Sequence, residues 1–255
     1  MTDTDTCIRF STREQIAWIK LDNPAKHNAL SAADINSFIA HLGAVEDTPE
    51  IRVLVITGSG DRTFCAGASL GELSSGTLNS DHFERLTDKL ASLTIPTICA
   101  LNGSAFGGGA EMGLCCDFRI GVHGMRLMVP AARFGLCYPP AGIQRYVQSL
   151  GLTAAKRLLV ISEEFDSDSL LELGYLTYLV EPTALQSTTQ GLAESVCKLA
   201  PLAVSAMKQI CDQSAGGSID EAEATALADR CSQSNDLQEG LRAKLEKRSP
   251  IFSGL

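Results

Sequence analysis

The stretch Asn102-Gly103-Ser104-Ala105-Phe106-Gly107-Gly108-Gly109-Ala110-Glu111 decides how the rest of this chain reads. It follows an apolar run, Ile98-Cys99-Ala100-Leu101, that predicts a buried strand. It precedes Met112-Gly113-Leu114-Cys115-Cys116, which predicts a buried helix. Three consecutive glycines at a strand-to-helix turn bare the first N–H groups of the helix. Those groups lack intrahelical partners and sit at the positive end of the helix dipole, so the turn can hold an anion. Glu111 falls in the first turn of the same helix. Oxyanion donors beside an acid/base are parts of a site that stabilises negative charge on a carbonyl oxygen. The bland alternative is a helix that only packs close to a strand, with Glu111 favoured there by the dipole alone.

A second segment narrows the choice. In Val53-Leu54-Val55-Ile56-Thr57-Gly58-Ser59-Gly60 a β-branched run breaks at glycine. Further on, the small-residue turn Cys65-Ala66-Gly67-Ala68 leads through Ser69 and Leu70 into a short polar helix. Small side chains there let a ligand lie against the backbone. Two such turns in one chain say more than either alone.

Composition bounds the remaining classes. The 255 residues suffice for one large domain, or for one domain with a small appendage. The net charge of −9 argues against nucleic acid or an anionic membrane surface as partner. No apolar run approaches the ~20 residues of a membrane span, and the polar start Met1-Thr2-Asp3-Thr4-Asp5-Thr6 is no signal peptide. The nine cysteines form no CxxC pair, and Cys115 and Cys116 are adjacent, so buried thiols in a reducing cytoplasm are expected. The histidines (His27, His41, His82, His123) are scattered, and no metal is expected. Gly107 and Gly109 are followed by Met112 where a dinucleotide-binding turn needs glycine. No phosphate-binding P-loop occurs.

Along the chain, 8–10 and 16–21 read as paired strands with a turn at 12–14, and 23–30 as a loop. Ser31 reads as the N-cap of a helix to about Val45. Further strands fall at 52–57, 97–101, 118–122, 126–129 and 178–180. Helices fall at about 80–93, 142–149, 153–161 and 167–173. From Thr183 onward the pattern is almost wholly helical, broken at Gly216-Gly217. Alternating strands and helices followed by helices alone predict an α/β core, 1–182, and a C-terminal helical region, 183–255.

The chain resembles the crotonase (enoyl-CoA hydratase/isomerase) superfamily. The resemblance lies in Asn23-Pro24-Ala25-Lys26-His27-Asn28-Ala29-Leu30-Ser31, Phe64–Ala68, Phe106–Glu111 and Cys116-Asp117-Phe118-Arg119. It continues through Phe134-Gly135-Leu136, Ala141-Gly142-Ile143-Gln144-Arg145 and Glu239-Gly240-Leu241, and so covers nearly the whole chain. It implies a spiral of stacked ββα turns, with terminal helices that build trimers or dimers of trimers. It also implies an acyl-CoA thioester as substrate, with coenzyme A entering only as part of that substrate and no separate cofactor. The N–H groups of Ala68 and Gly108 would hold the thioester oxygen, with Glu111 as acid/base. Coenzyme A would lie along Lys26, His27 and Ala29 and along Cys65, Ala66, Gly67 and Leu70, with Gly107 beside the oxygen. Lys26 reads either as a phosphate contact or as a solvated loop lysine.

The chain departs from the typical hydratase at Ala131, where a second glutamate is usual. Arg133, close by, reads as a binder of a substrate carboxylate, or as a solvated or ion-paired arginine. Tyr138 matches an active-site tyrosine of the methylmalonyl-CoA decarboxylases, yet the histidine those enzymes carry is replaced here by Ala68. Tyr138 reads equally as a pocket wall. Three functions follow from the resemblance: a hydratase/isomerase-type lyase using Glu111, a decarboxylase or other enolate-forming enzyme using Tyr138 or Arg133, and a CoA-binding protein without catalysis.

Overall fold

Strands of this chain come in pairs, a long apolar one and then a short one set at a bend, and the pairs belong to two different sheets. The computed structural model describes residues 6–255. Of the polar start Met1–Thr6, residues 1–5 lie outside the described residues. β1 (Ile8–Arg13) and β2 (Ile16–Leu21) form an antiparallel hairpin. Its turn centres on Glu14 at φ 55°, so β1 runs three residues beyond its expected end at Phe10. α1 (Ala32–Glu46) starts on Ser31. The Ser31 hydroxyl accepts from Asp34 N at 3.1 Å and the Asp34 carboxylate accepts from Ser31 N at 3.0 Å, a reciprocal cap.

The spiral follows. β3 (Val53–Gly58) and β4 (Thr63–Cys65) lead to α2 (Leu70–Ser75) and α3 (Ser80–Ala91). β5 (Thr97–Leu101) and β6 (Ser104–Phe106) lead to α4 (Gly108–Leu114). β7 (Phe118–Val122) and β8 (Arg126–Met128) lead to α5 (Pro140–Leu159). β9 (Phe165–Asp166), α6 (Ser167–Glu172) and β10 (Tyr178–Val180) complete the core. The long strands make one sheet in the order β1-β2-β3-β5-β7-β10, parallel from β2 onward. The short ones make a second sheet, β4-β6-β8-β9. Both faces of the central strands β3 and β5 are buried, which explains their apolar sequence.

Asparagine side chains fasten one turn of the spiral to the next. Asn102 accepts from Gly58 N and donates to the Gly60 carbonyl, each at 2.9 Å. The buried Asn28 donates to the carbonyls of Ser59, Thr63 and Phe64 at 3.0, 2.9 and 3.1 Å. Polar groups at this depth are tolerated because they are satisfied, and each one removed leaves backbone carbonyls unpaired.

The structure differs from the sequence reading in places. β4, β6 and β9 have only two or three residues each, too short to show a period. The two helices expected at 142–149 and 153–161 are present, adjoining within α5 and separated by the non-helical Gly151 (φ 78°, ψ 161°). The terminal region holds α7 (Leu185–Cys197), α8 (Pro201–Ala215), α9 (Glu221–Ser232) and α10 (Asn235–Glu246). α7 lies on the large sheet with Thr189 and Ala193 buried, and Leu192 and Val196 pack against the same core. Those two leucine and valine side chains are therefore covered within the chain. On α10, Leu237, Leu241 and Leu245 stay 41%, 56% and 84% exposed. Among the described residues, no helix is long and apolar enough to cross a membrane.

Candidate active site

The two glycine-bearing turns meet backbone to backbone. A Cβ added at Gly67 (φ 82°) would lie 2.9 Å from both Gly108 N and the Phe106 carbonyl oxygen. One added at Gly109 would lie 2.4 Å from the Cys65 carbonyl oxygen. Only glycine permits this approach. The first turn is held from the other side by 27–30. Ala66 N donates to the His27 carbonyl at 3.0 Å, Leu30 N to that of Gly67 at 2.8 Å, and Ser69 N to that of Leu30 at 2.8 Å. This ladder skips Ala68. Among the described residues neither Ala68 N–H nor Gly108 N–H donates to any group. Both residues line one cavity of about 90 Å³ between α3, α4 and the start of α5.

Glu111 enters that cavity from α4 and is only 5% exposed. Its Oε1 accepts from Arg145 Nη1 at 2.9 Å. Arg145 is itself fixed by α3, donating to Thr87 Oγ1 at 3.1 Å and pairing with Asp88. Burial pushes the Glu111 carboxyl above the ordinary carboxylate range, and the Arg145 charge works against that push. The outcome is a carboxylate that is dry, oriented and able to hold a proton. Gly142 on α5 makes room for it, since a Cβ there would meet Glu111 Oε1 at 2.8 Å and Tyr138 Cδ1 at 3.2 Å.

Tyr138 lines the same cavity and stands edge-on to the buried Tyr146, ring centres 6.2 Å apart. Burial first, then the Glu111 charge, pushes its hydroxyl well above the usual phenol range, so it remains protonated. The rest of the wall is largely apolar, with Leu73, Phe83, Leu136 and Pro139.

The residues read as catalytic from sequence, Ala68, Gly108, Glu111 and Tyr138, thus share one cavity. The residues read as coenzyme A contacts lie outside it. Lys26 is exposed in the short 3₁₀ turn Pro24–Lys26. His27 is exposed, with Nδ1 3.1 Å from Thr63 Oγ1, and Ala29 is half-buried between the residues of the backbone ladder. Ala66 lines a separate cleft with His27, Arg62 and Arg126. Cys65 is buried, and burial raises its thiol to about 12; the sulfur accepts from Gly67 N at 3.3 Å and so braces the turn from inside. Leu70 is exposed at the start of α2. Gly107, at φ 53°, is the N-cap of α4.

Ala131 and Arg133 are not brought to the cavity. Ala131 is buried at the start of the 3₁₀ turn Ala131–Phe134, and Arg133 donates to the Ser162 carbonyl at 2.8 Å. Sequence reasoning assigned no role to Arg145, Phe83 or Glu84, all of which border the site. Arg145 was legible only as part of a motif. Its pairing with Glu111 depends on α3 and α5 crossing α4, which no local spacing records.

The family model for enoyl-CoA hydratase/isomerase matches residues 11–254. The short-chain-enoyl-CoA hydratase of Clostridium acetobutylicum is 30% identical over 92% of this chain and 92% of its own. The carnitinyl-CoA dehydratase of Proteus mirabilis is 32% identical over 97% and 98%. The crystal structure of an enoyl-CoA hydratase from Bacillus anthracis superimposes with a TM-score of 0.89, at 26% identity over 98% of this chain and 100% of that one. The chain belongs to the enoyl-CoA hydratase/isomerase family, and its fold is the crotonase spiral with C-terminal helices.

Proposed function

We propose that the protein hydrates short 2-enoyl thioesters of coenzyme A. The observation that carries this reading is the pair of unpaired N–H groups, Ala68 and Gly108, facing one cavity with Glu111. The thioester oxygen would accept from both donors. Attack of water at Cβ moves the π electrons toward Cα and that oxygen, and the donors stabilise the enolate so formed. Glu111 takes a proton from the water and returns it to Cα as the enolate collapses. Arg145 opposes the upward push of burial and aims the carboxylate. Coenzyme A would run along 26–30 and 65–70, which the backbone ladder already places side by side. The small, largely apolar cavity suits a short acyl group. The names of the relatives, hydratases and a dehydratase acting on coenzyme A thioesters, support the reaction type. The terminal helices would build a trimer or a dimer of trimers in the cytoplasm.

The test is hydration of crotonyl-CoA, followed as loss of the absorbance of the conjugated thioester. Wild type is expected to turn over. Glu111→Gln keeps the shape and the Arg145 contact, and it is expected to lose about 10²–10⁴ in kcat. A folded Glu111→Gln protein with full activity would refute the assignment.

A further inference from the structure

Glu111 leaves one task undone. A water that attacks Cβ has two O–H bonds, and a single carboxylate that also serves Cα controls only one of them. The position where the family usually supplies a second carboxylate is Ala131, which neither lines the cavity nor carries a proton. A second acidic residue nevertheless lines the same cavity: Glu84, from α3.

Its position follows from helix geometry. Glu84 stands one turn before Thr87 and Asp88, the two residues that hold Arg145, and residues three and four apart share a helix face. Side chains lean toward the N-terminus of their helix, which carries Glu84 away from Arg145 and toward the cavity end lined by Asn79 and Ser80. Three hydrogen bonds tie the two glutamates into one frame. Thr87 Oγ1 donates to the Glu84 carbonyl at 3.2 Å, Arg145 donates to Thr87 Oγ1 at 3.1 Å, and Arg145 donates to Glu111 Oε1 at 2.9 Å. Arg145 satisfies Glu111, whereas among the described residues nothing pairs with the Glu84 carboxylate. The neighbouring polar groups are committed elsewhere: Asn79 and His82 cap each other, with His82 Nδ1 2.6 Å from Asn79 Oδ1.

We infer that Glu84 is a catalytic residue for hydration, accepting the second O–H of the attacking water and aiming its oxygen at Cβ. The inference rests on the function proposed above. The atoms balance. The water oxygen bonds to Cβ, one of its protons passes to Glu111 and on to Cα, and the other stays on the new hydroxyl. Glu84 accepts a hydrogen bond throughout and ends unchanged.

The experiment separates water addition from enolate chemistry. Crotonyl-CoA hydration and exchange of the Cα hydrogens of butyryl-CoA in D2O are measured for wild type, Glu84→Ala and Glu111→Gln. Exchange needs the two N–H donors and Glu111 but no attacking water. Glu84→Ala is expected to lose about 10²-fold or more in hydration kcat, with much less loss of exchange and an unchanged KM. Glu111→Gln is expected to lose both. Hydration by Glu84→Ala at the wild-type rate overturns the role of Glu84 and leaves the proposed function standing. Equal losses of hydration and exchange in Glu84→Ala overturn it too, by showing a structural role. A wild type that neither hydrates nor exchanges overturns the proposed function, and this inference with it.

Discussion

Gly109→Ala probes the contact on which the site depends, without touching Glu111. The added Cβ would lie 2.4 Å from the Cys65 carbonyl oxygen, 2.7 Å from Cys65 Cβ and 2.9 Å from Cys65 C. Two of these three atoms belong to backbone, so no side-chain rotation relieves the clash. To reach tolerable contact the turn after β6 has to retreat from the turn after β4 by about 0.6–1.0 Å, and such overpacking typically costs ~1–3 kcal/mol. For a chain of this size that is a fall in Tm of about 2–12 °C, leaving a folded protein. The same retreat separates Gly108 N from Ala68 N. A misplacement of ~1 Å costs about 10²-fold in rate, close to the loss of one oxyanion donor. The assay is crotonyl-CoA hydration beside a thermal melt. Gly43→Ala is the control, because nothing lies within 4 Å of a Cβ there, and alanine favours helix α1. A Gly109→Ala protein that melts lower but keeps wild-type kcat would show that the two turns do not act as a pair.

Three more outcomes are expected. With Glu111 as the proposed proton acceptor, activity is expected to fall as pH drops through its raised pKa. Arg145→Met removes the opposing charge and should move that acid limb to higher pH; a limb that stays in place would detach Arg145 from Glu111. Ala131→Glu should not raise crotonyl-CoA hydration, because residue 131 lies outside the cavity, and it should lower the melting temperature by burying a carboxylate without a partner; a large gain in hydration would contradict the site described here. Light scattering should give the mass of a trimer or a dimer of trimers, with Leu237, Leu241 and Leu245 covered in the contact; a stable monomer at micromolar concentration would count against it.

Local sequence determined a good deal of this protein. Apolar runs fixed the central strands β3 and β5, because strands buried on both faces have no polar side to alternate with. Ser31 with Asp34 fixed the start of α1, since a cap is satisfied within three residues. The glycines at 67 and 107–109, with Ala68 and Glu111 beside them, marked the turns of the site, because close backbone approach demands small residues wherever it occurs. Tertiary structure decided what distant residues do together. The short strands β4, β6 and β9 exist only because a neighbouring turn offers them partners. Arg133 is close to the family's second-glutamate position in sequence, yet its guanidinium donates to the Ser162 carbonyl, twenty-nine residues away in the chain. Arg145 reaches Glu111, and Glu84 comes to share its cavity, only once α3 and α5 are laid against α4. Periodicity and capping act within a turn or two of chain. Charge pairing and the lining of a cavity act across whatever distance the fold has closed.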